Sequence, residues 1–94
     1  MRNTKEGSGY SVGEVKSGKY VRILLKVVND KIEEISIIGD FFAFPETSID
    51  SLEKDLIGKT LEEALSIIDR YEISLVGITK EDLKNALRRA FEGS

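Results

Sequence analysis

The chain has 94 residues, a net charge of −3 and no histidine, cysteine or tryptophan. Without histidine or cysteine it cannot form a Ser-His-Asp triad, a cysteine nucleophile, a thiolate-held iron–sulfur cluster or a zinc site of the usual structural type. Its 14 Lys and Arg residues are scattered among 17 Asp and Glu residues, which argues against binding along a nucleic-acid backbone. The composition therefore favours a protein that works with a partner over a catalyst.

The length is that of one domain, since domains commonly have about 150 residues. Residues 1–9 are polar and end in Gly7-Ser8-Gly9, so we expect a flexible N-terminal lead followed by a single domain over 10–94. No apolar run approaches the roughly 18 residues that cross a bilayer, which predicts no membrane association. A chain without cysteine forms no disulfides, which is typical of cytosolic proteins, and we expect a cytoplasmic location.

Alternating apolar residues predict antiparallel strands in the first half of the chain. From Tyr10, a weakly alternating stretch predicts an edge strand that ends before a turn at Ser17-Gly18. A hairpin is predicted over 19–28 and 31–39, with its turn at Asn29-Asp30, because both residue types tolerate left-handed backbone angles. Its apolar face is expected to carry Val21, Ile23, Leu25, Val27, Ile35 and Ile37.

The second half predicts three amphipathic helices, over about 46–57, 61–71 and 80–92. Thr47 or Ser48 can cap the first, and Gly58 stands where a left-handed residue would end it. Capping boxes open the other two helices, formed by Thr60 with Glu63 and by Thr79 with Asp82. Between them we expect a short apolar connector that crosses the core, with Ile73, Leu75, Val76 and Ile78. The predicted fold is an α+β sandwich of two layers, in which a two- or three-stranded antiparallel sheet packs against three helices.

One segment departs from this pattern. Gly39-Asp40-Phe41-Phe42-Ala43-Phe44-Pro45-Glu46 holds three of the four phenylalanines. They could close the end of the sandwich, with Gly39 as a bulge and Pro45 as the first residue of a helix. Side chains alternate between faces in extended chain, however, so three such close aromatic residues cannot easily all point inward. At least one is expected to reach a partner or ligand.

Asp40 and Glu46 flank the aromatic residues. Two carboxylates could bind a metal ion or act as acid and base. Acids beside the N-terminus of a helix more often cap it or interact with its dipole, and we favour that interpretation. No metal or cofactor is therefore expected on this chain.

The same residues carry a resemblance to a known family. Gly18-Lys19-Tyr20-Val21-Arg22, the hairpin, Gly39-Asp40-Phe41-Phe42 and Pro45-Glu46 resemble the accessory (C-terminal) domain of lipoate–protein ligases. The resemblance extends over about residues 10–92, through Leu52, Leu56, Gly58 and Gly77-Ile78-Thr79-Lys80-Glu81-Asp82-Leu83.

The resemblance implies a function that is shared with another polypeptide. In that family a catalytic domain uses ATP to form lipoyl-AMP, and then passes the lipoyl group to a lysine of a lipoyl domain or of the glycine-cleavage H protein. The catalytic domain is much larger than this chain, so ATP, Mg and lipoate are expected on a catalytic partner. In some organisms the accessory domain is a separate small protein, and a 94-residue chain that begins with Met1 looks like that arrangement.

A more distant resemblance is to the iron–sulfur scaffold proteins, through Gly39 and Gly58-Lys59-Thr60-Leu61-Glu62-Glu63-Ala64. Those proteins carry a cysteine where this chain has Asp40, so the fold can be shared while cluster assembly is excluded.

The leading prediction is an accessory subunit of a two-component lipoate–protein ligase. Its partner-binding residues would be Gly39, Asp40, Phe41, Phe42, Phe44, Pro45 and Glu46, with the phenylalanines as contact anchors and Asp40 and Glu46 fixing the loop. The alternative is a protein-binding adaptor of scaffold-like fold without a cluster. A third interpretation, a stand-alone enzyme that uses Asp40 and Glu46, is the least favoured.

Overall fold

The computed structural model describes residues 10–16 and 19–93 of the chain. The predicted lead over 1–9 and the predicted turn at Ser17-Gly18 lie outside the described residues. The elements are, in order, β1 (Tyr10–Val15), β2 (Val21–Val28), β3 (Lys31–Gly39), β4 (Phe42–Phe44), α1 (Ser48–Leu56), α2 (Leu61–Arg70), β5 (Ser74–Val76) and α3 (Lys80–Glu92).

The predicted α+β architecture is confirmed. A three-stranded antiparallel sheet has the order β1-β2-β3, and β4 pairs with β5 in a separate two-stranded sheet. Buried side chains from β1, β2, β3 and all three helices form one hydrophobic core. Among the described residues, no helix is both long and apolar enough to span a membrane.

The hairpin of β2 and β3 forms as the sequence predicts. Asn29 and Asp30 have φ values of 55° and 65°, the left-handed conformation that a two-residue hairpin turn requires. The register shifts between Lys26 and Val27, where Val27 pairs with Ile32 and Lys26 pairs with Glu34. The extra residue in β3 reverses the alternation, so Ile32 is buried in the core together with Ile37.

The edge strand β1 lies directly against α3. Ser11, Gly13 and Val15 point toward the helix and are buried, and the hydroxyl of Ser11 donates a hydrogen bond to the carbonyl of Ala90 (2.6 Å). A Cβ on Gly13 would lie 2.0 Å from the carbonyl oxygen of Ala86. The small residues in β1 therefore allow backbone-to-backbone approach of strand and helix, which explains why the buried side of this strand carries Ser11 and Gly13 in place of large apolar residues.

The helices begin and end close to their predicted bounds. Both capping boxes are present, at Thr60 with Glu63 and at Thr79 with Asp82. Gly58 has φ +83° just after the end of α1, as predicted. The helix α1 itself begins at residue 48 rather than 46, and the side chain of Thr47 makes no capping hydrogen bond.

Side chains and loops also occupy parts of both sheet edges. The carboxylate of Glu53 in α1 accepts a hydrogen bond from the backbone N–H of Ile37 (2.7 Å), and Ile32 exchanges backbone hydrogen bonds with Gly58 and Lys59. At the opposite edge, the guanidinium of Arg89 donates to the carbonyl of Glu14. These contacts hold the helices across one face of the sheet and fix where the chain leaves β3.

Candidate functional site

The strands β4 and β5 form a short ribbon with one open face. Phe42 pairs with Val76, Ala43 with Leu75 and Phe44 with Ser74. Ala43 and Leu75 are half-buried, and Leu75 packs against the core. On the opposite side, Phe42, Phe44 and Val76 are 69%, 51% and 55% exposed, and we call these three residues the aromatic face.

The predicted aromatic segment therefore divides between core and surface, as strand alternation requires. Phe41 is partly buried and packs against the core, whereas Phe42 and Phe44 point outward. Two phenylalanines therefore point away from the core, and that at least one of them reaches a partner or ligand stays a prediction. The idea that all three close the end of the sandwich is wrong.

The predicted roles of Gly39 and Pro45 in local structure are also corrected. Gly39 pairs in register with Val21, and the bulge of this sheet lies instead at Lys26 and Val27. A Cβ on Gly39 would stand 2.3 Å from the carbonyl oxygen of Tyr20 and 2.9 Å from the ring of Phe41, so glycine here makes room for that ring. Pro45 follows a cis peptide bond and precedes α1 by three positions, so it is not the first helical residue.

The connector that was expected to cross the core contains the strand β5 instead. Its residues alternate with a period of two: Ile73 and Leu75 are half-buried, whereas Ser74 and Val76 are exposed, and only Ile78 is buried in the core. Sequence reasoning missed Val76 as a surface residue because three residues are too few for periodicity to distinguish a strand from an apolar loop.

Backbone hydrogen bonds anchor one end of the ribbon on the residues that lead into β2. Lys19 donates its N–H to the carbonyl of Gly77 (3.1 Å), and Asp40 donates its N–H to the carbonyl of Tyr20 (2.9 Å). Gly77 has φ +104° and lies against the side chain of Lys19, a backbone conformation that favours glycine. The neighbouring residues Lys19 and Tyr20 thus anchor the chain just before β4 and just after β5.

The other end of the ribbon is tied to the helices. The hydroxyl of Tyr71 donates to the carboxylate of Asp55 in α1 (2.9 Å), and Lys80 donates its ammonium to the carbonyl of Tyr71 (2.6 Å). Partial desolvation and the bond to Asp55 raise the pKa of the Tyr71 phenol. After β4, both the N–H and the hydroxyl of Ser48 donate to the carbonyl of Pro45. Both ends of the ribbon are therefore anchored to the rest of the fold.

The two predicted acids lie on the surface beside the ribbon. Asp40 and Glu46 are exposed, and among residues 10–16 and 19–93 neither carboxylate takes part in a hydrogen bond or ion pair. Backbone contacts, rather than these carboxylates, fix the loop. Within the same described ranges no three acidic, histidine or cysteine side chains converge in a way that could hold a metal ion.

The arrangement is suited to docking. Exposed aromatic side chains on rigid supports are the commonest anchors of protein interfaces, because they bury a large area at low entropic cost. The seven residues predicted for partner binding converge on this ribbon and its two flanks, with Gly39 and Phe41 underneath and Phe42 and Phe44 on the surface.

Residues 14–87 match the family described as the C-terminus of bacterial lipoate protein ligases. The chain belongs to this family. The matched range contains both strands of the ribbon, so the aromatic face is part of the lipoate ligase C-terminal domain itself.

A curated relative supports the same assignment. The chain is 41% identical over 71 residues to "Lipoate-protein ligase A subunit 2" of Thermoplasma acidophilum. The alignment covers 72% of this chain and 76% of the relative. A solved structure from the same organism, described as an archaeal lipoylation system with a bi-partite lipoate protein ligase and its E2 lipoyl domain, superposes with a TM-score of 0.78. The two sequences are 34% identical, and the superposition covers 84% of this chain and 94% of the chain in that structure. The predicted family and fold are thereby confirmed.

Proposed function

We propose that this lipoate ligase C-terminal domain is the accessory subunit of a two-component lipoate–protein ligase. It binds the catalytic subunit and supports the reaction of the lipoate carboxylate with ATP, which forms lipoyl-AMP and releases pyrophosphate. The relatedness to a protein named as subunit 2 of such a ligase, and to a bi-partite ligase of known structure, supports this function. Lipoyl domains or the glycine-cleavage H protein would receive the lipoyl group, in the cytoplasm.

The aromatic face is the observation that carries the proposal. Burying a phenylalanine side chain is worth about 1.5–3 kcal/mol relative to leaving it exposed, and Phe42 and Phe44, which are 69% and 51% exposed, forgo half or more of that stabilisation in the isolated fold. A partner that covers both rings together with Val76 recovers it. The rigid anchoring of the ribbon means that little conformational entropy is lost on binding.

The contribution to catalysis would be positional. ATP, Mg and lipoate would all bind to the catalytic subunit, and none of them to this chain. By docking beside the active site, the accessory subunit would order loops of the catalytic subunit around both reactants. Correct placement of reacting groups can supply several kcal/mol of barrier reduction, and loop closure excludes competing water.

The decisive measurement is lipoate-dependent ATP–pyrophosphate exchange by the purified catalytic subunit, with and without this chain. We expect the chain to raise the exchange rate by about tenfold or more. An exchange rate that the chain leaves unchanged would show that the accessory role is wrong. A partner captured through the same face would then support the adaptor interpretation.

The aromatic face is tested in the same assay with Phe42→Ala/Phe44→Ala. We expect this variant to need a much higher concentration for the same stimulation, because it lacks the contact anchors. The matched control is Val28→Ala/Ile57→Ala, which removes two apolar side chains that are 44% and 43% exposed outside the aromatic face. The control should stimulate like the unchanged chain.

A further inference from the structure

The net charge of the segment that carries Phe42 and Phe44 is unlike that of the remaining chain. Residues 40–55, which include β4 and all of α1 except Leu56, contain five acidic residues and one lysine, a net charge of −4. The remaining residues contain 13 basic and 12 acidic side chains, a net charge of +1. The whole negative excess of the protein is therefore concentrated in the segment that carries Phe42 and Phe44.

The acids of this segment divide into two groups. The carboxylates of Glu53 and Asp55 accept hydrogen bonds within the fold, from the N–H of Ile37 and the hydroxyl of Tyr71 respectively. Asp40, Glu46 and Asp50 are exposed, and in the described part of the chain their carboxylates form no hydrogen bond or ion pair.

Elsewhere in the described chain, four acids have cationic partners, namely Glu14, Glu33, Asp69 and Glu81. Lys26 pairs with Glu33 (3.3 Å), and Lys84 pairs with both Asp69 (2.7 Å) and Glu81 (3.2 Å). The bond to Lys84 lowers the pKa of the Asp69 carboxyl. Within residues 10–16 and 19–93, Asp40, Glu46 and Asp50 thus differ from these four acids, because no cationic side chain pairs with them.

From this distribution, and resting on the proposed function, we propose the chemistry of the surface that the aromatic face meets. The catalytic subunit presents an apolar recess for Phe42, Phe44 and Val76, bordered by lysine or arginine side chains that face Asp40, Glu46 and Asp50. An apolar centre with a polar rim is the common anatomy of protein interfaces. A rim without cations would leave desolvated carboxylates unpaired at the edge of the contact, which is costly.

The two parts of this surface should affect different rate constants. Opposite charges at a rim accelerate encounter and are screened by salt, whereas buried anchors mainly slow dissociation. Association of the unchanged chain with the catalytic subunit should therefore slow by about tenfold when the ionic strength rises from about 0.05 M to about 0.5 M.

Stopped-flow association and dissociation with the purified catalytic subunit tests the proposal. Asp40→Asn/Glu46→Gln should lower the association rate constant at low salt by about three- to tenfold and flatten its salt dependence, with little change in dissociation. Glu62→Gln/Glu92→Gln removes two exposed charges outside the 40–55 segment and should retain most of the salt dependence. Phe42→Ala/Phe44→Ala should accelerate dissociation and keep the full salt slope.

The outcomes separate this proposal from the one on which it rests. If Asp40→Asn/Glu46→Gln has the same salt dependence as the unchanged chain while the chain still stimulates exchange, the basic rim is wrong and the accessory function stands. If the chain neither binds the catalytic subunit nor stimulates exchange, both proposals fail. Sedimentation of the chain alone at the same concentrations should show a monomer, and a dimer lost in Phe42→Ala/Phe44→Ala would mean that a second copy occupies the face.

Discussion

The strand β1 and the ribbon of β4 and β5 show two opposite ways of placing side chains on a short strand. In β1, Ser11 and Gly13 let α3 approach until strand and helix backbones touch, and this side of the strand is closed. In β4, large phenylalanines occupy the outward positions, and no element of the described chain covers them. Small residues thus mark the contact that the fold completes by itself, and large exposed ones mark the contact that we propose it leaves to a partner.

The largest expected effect contrasts the core with the aromatic face. Leu83 in α3 is fully buried, so Leu83→Ala should lower the free energy of unfolding by about 3 kcal/mol, through lost burial and the cavity that remains. Phe42→Ala should change it by less than about 0.5 kcal/mol, because the ring is mostly exposed. Urea unfolding of both variants checks this contrast, and a large loss for Phe42→Ala would mean that the ring supports the fold.

A smaller effect is expected at the closed side of β1. Gly13→Ala places a methyl group against the backbone of Ala86 and Ala90, and forcing strand and helix apart should cost about 2 kcal/mol. Gly58→Ala is the matched control, because it has open space around it but a φ of +83°, and it should cost about 1 kcal/mol. Both are measured by denaturant unfolding. A smaller loss at Gly13 than at Gly58 would contradict the close approach of β1 and α3.

The smallest expected effect is a pH dependence away from both regions. The hydrogen bond from the N–H of Thr60 lowers the pKa of Glu63 below its ordinary value of 4.5. Its stabilisation is therefore complete above pH 4.5 and is lost as the pH falls through the lowered value. Glu63→Gln keeps a group that can accept this bond but removes the titration, so its unfolding midpoint should fall less steeply with acid.

Unfolding midpoints measured between about pH 3 and pH 7 test this prediction. Glu62→Gln is the control, because Glu62 is the neighbouring acid in the same helical turn but does not accept the Thr60 N–H. Identical acid dependence of Glu63→Gln and the unchanged chain would contradict the role of the Glu63 carboxylate.

The sequence predicted those elements whose signal is local. The hairpin turn at Asn29-Asp30 depends on which residues tolerate positive φ, and the capping boxes depend on a spacing of three residues; both formed as expected. The candidate site was predicted as a segment, because three phenylalanines cannot all share one side of an extended chain. The sequence did not predict which of them would be buried.

Other features depended on contacts that are distant in sequence. Gly39 looked like a bulge, but its role is to admit the ring of Phe41 beside the carbonyl of Tyr20. The pattern of the stretch with Leu75 and Val76 predicted an apolar connector, but the stretch forms a strand because it pairs with β4.

The sequence by itself determined the fold class, the family and the segment that carries the site, because periodicity, capping and motif are encoded in neighbouring residues. Only the tertiary structure decided that Val76 joins Phe42 and Phe44 on one open face. Strand pairing across more than thirty residues creates that face, and no local pattern specifies which distant segment becomes the partner.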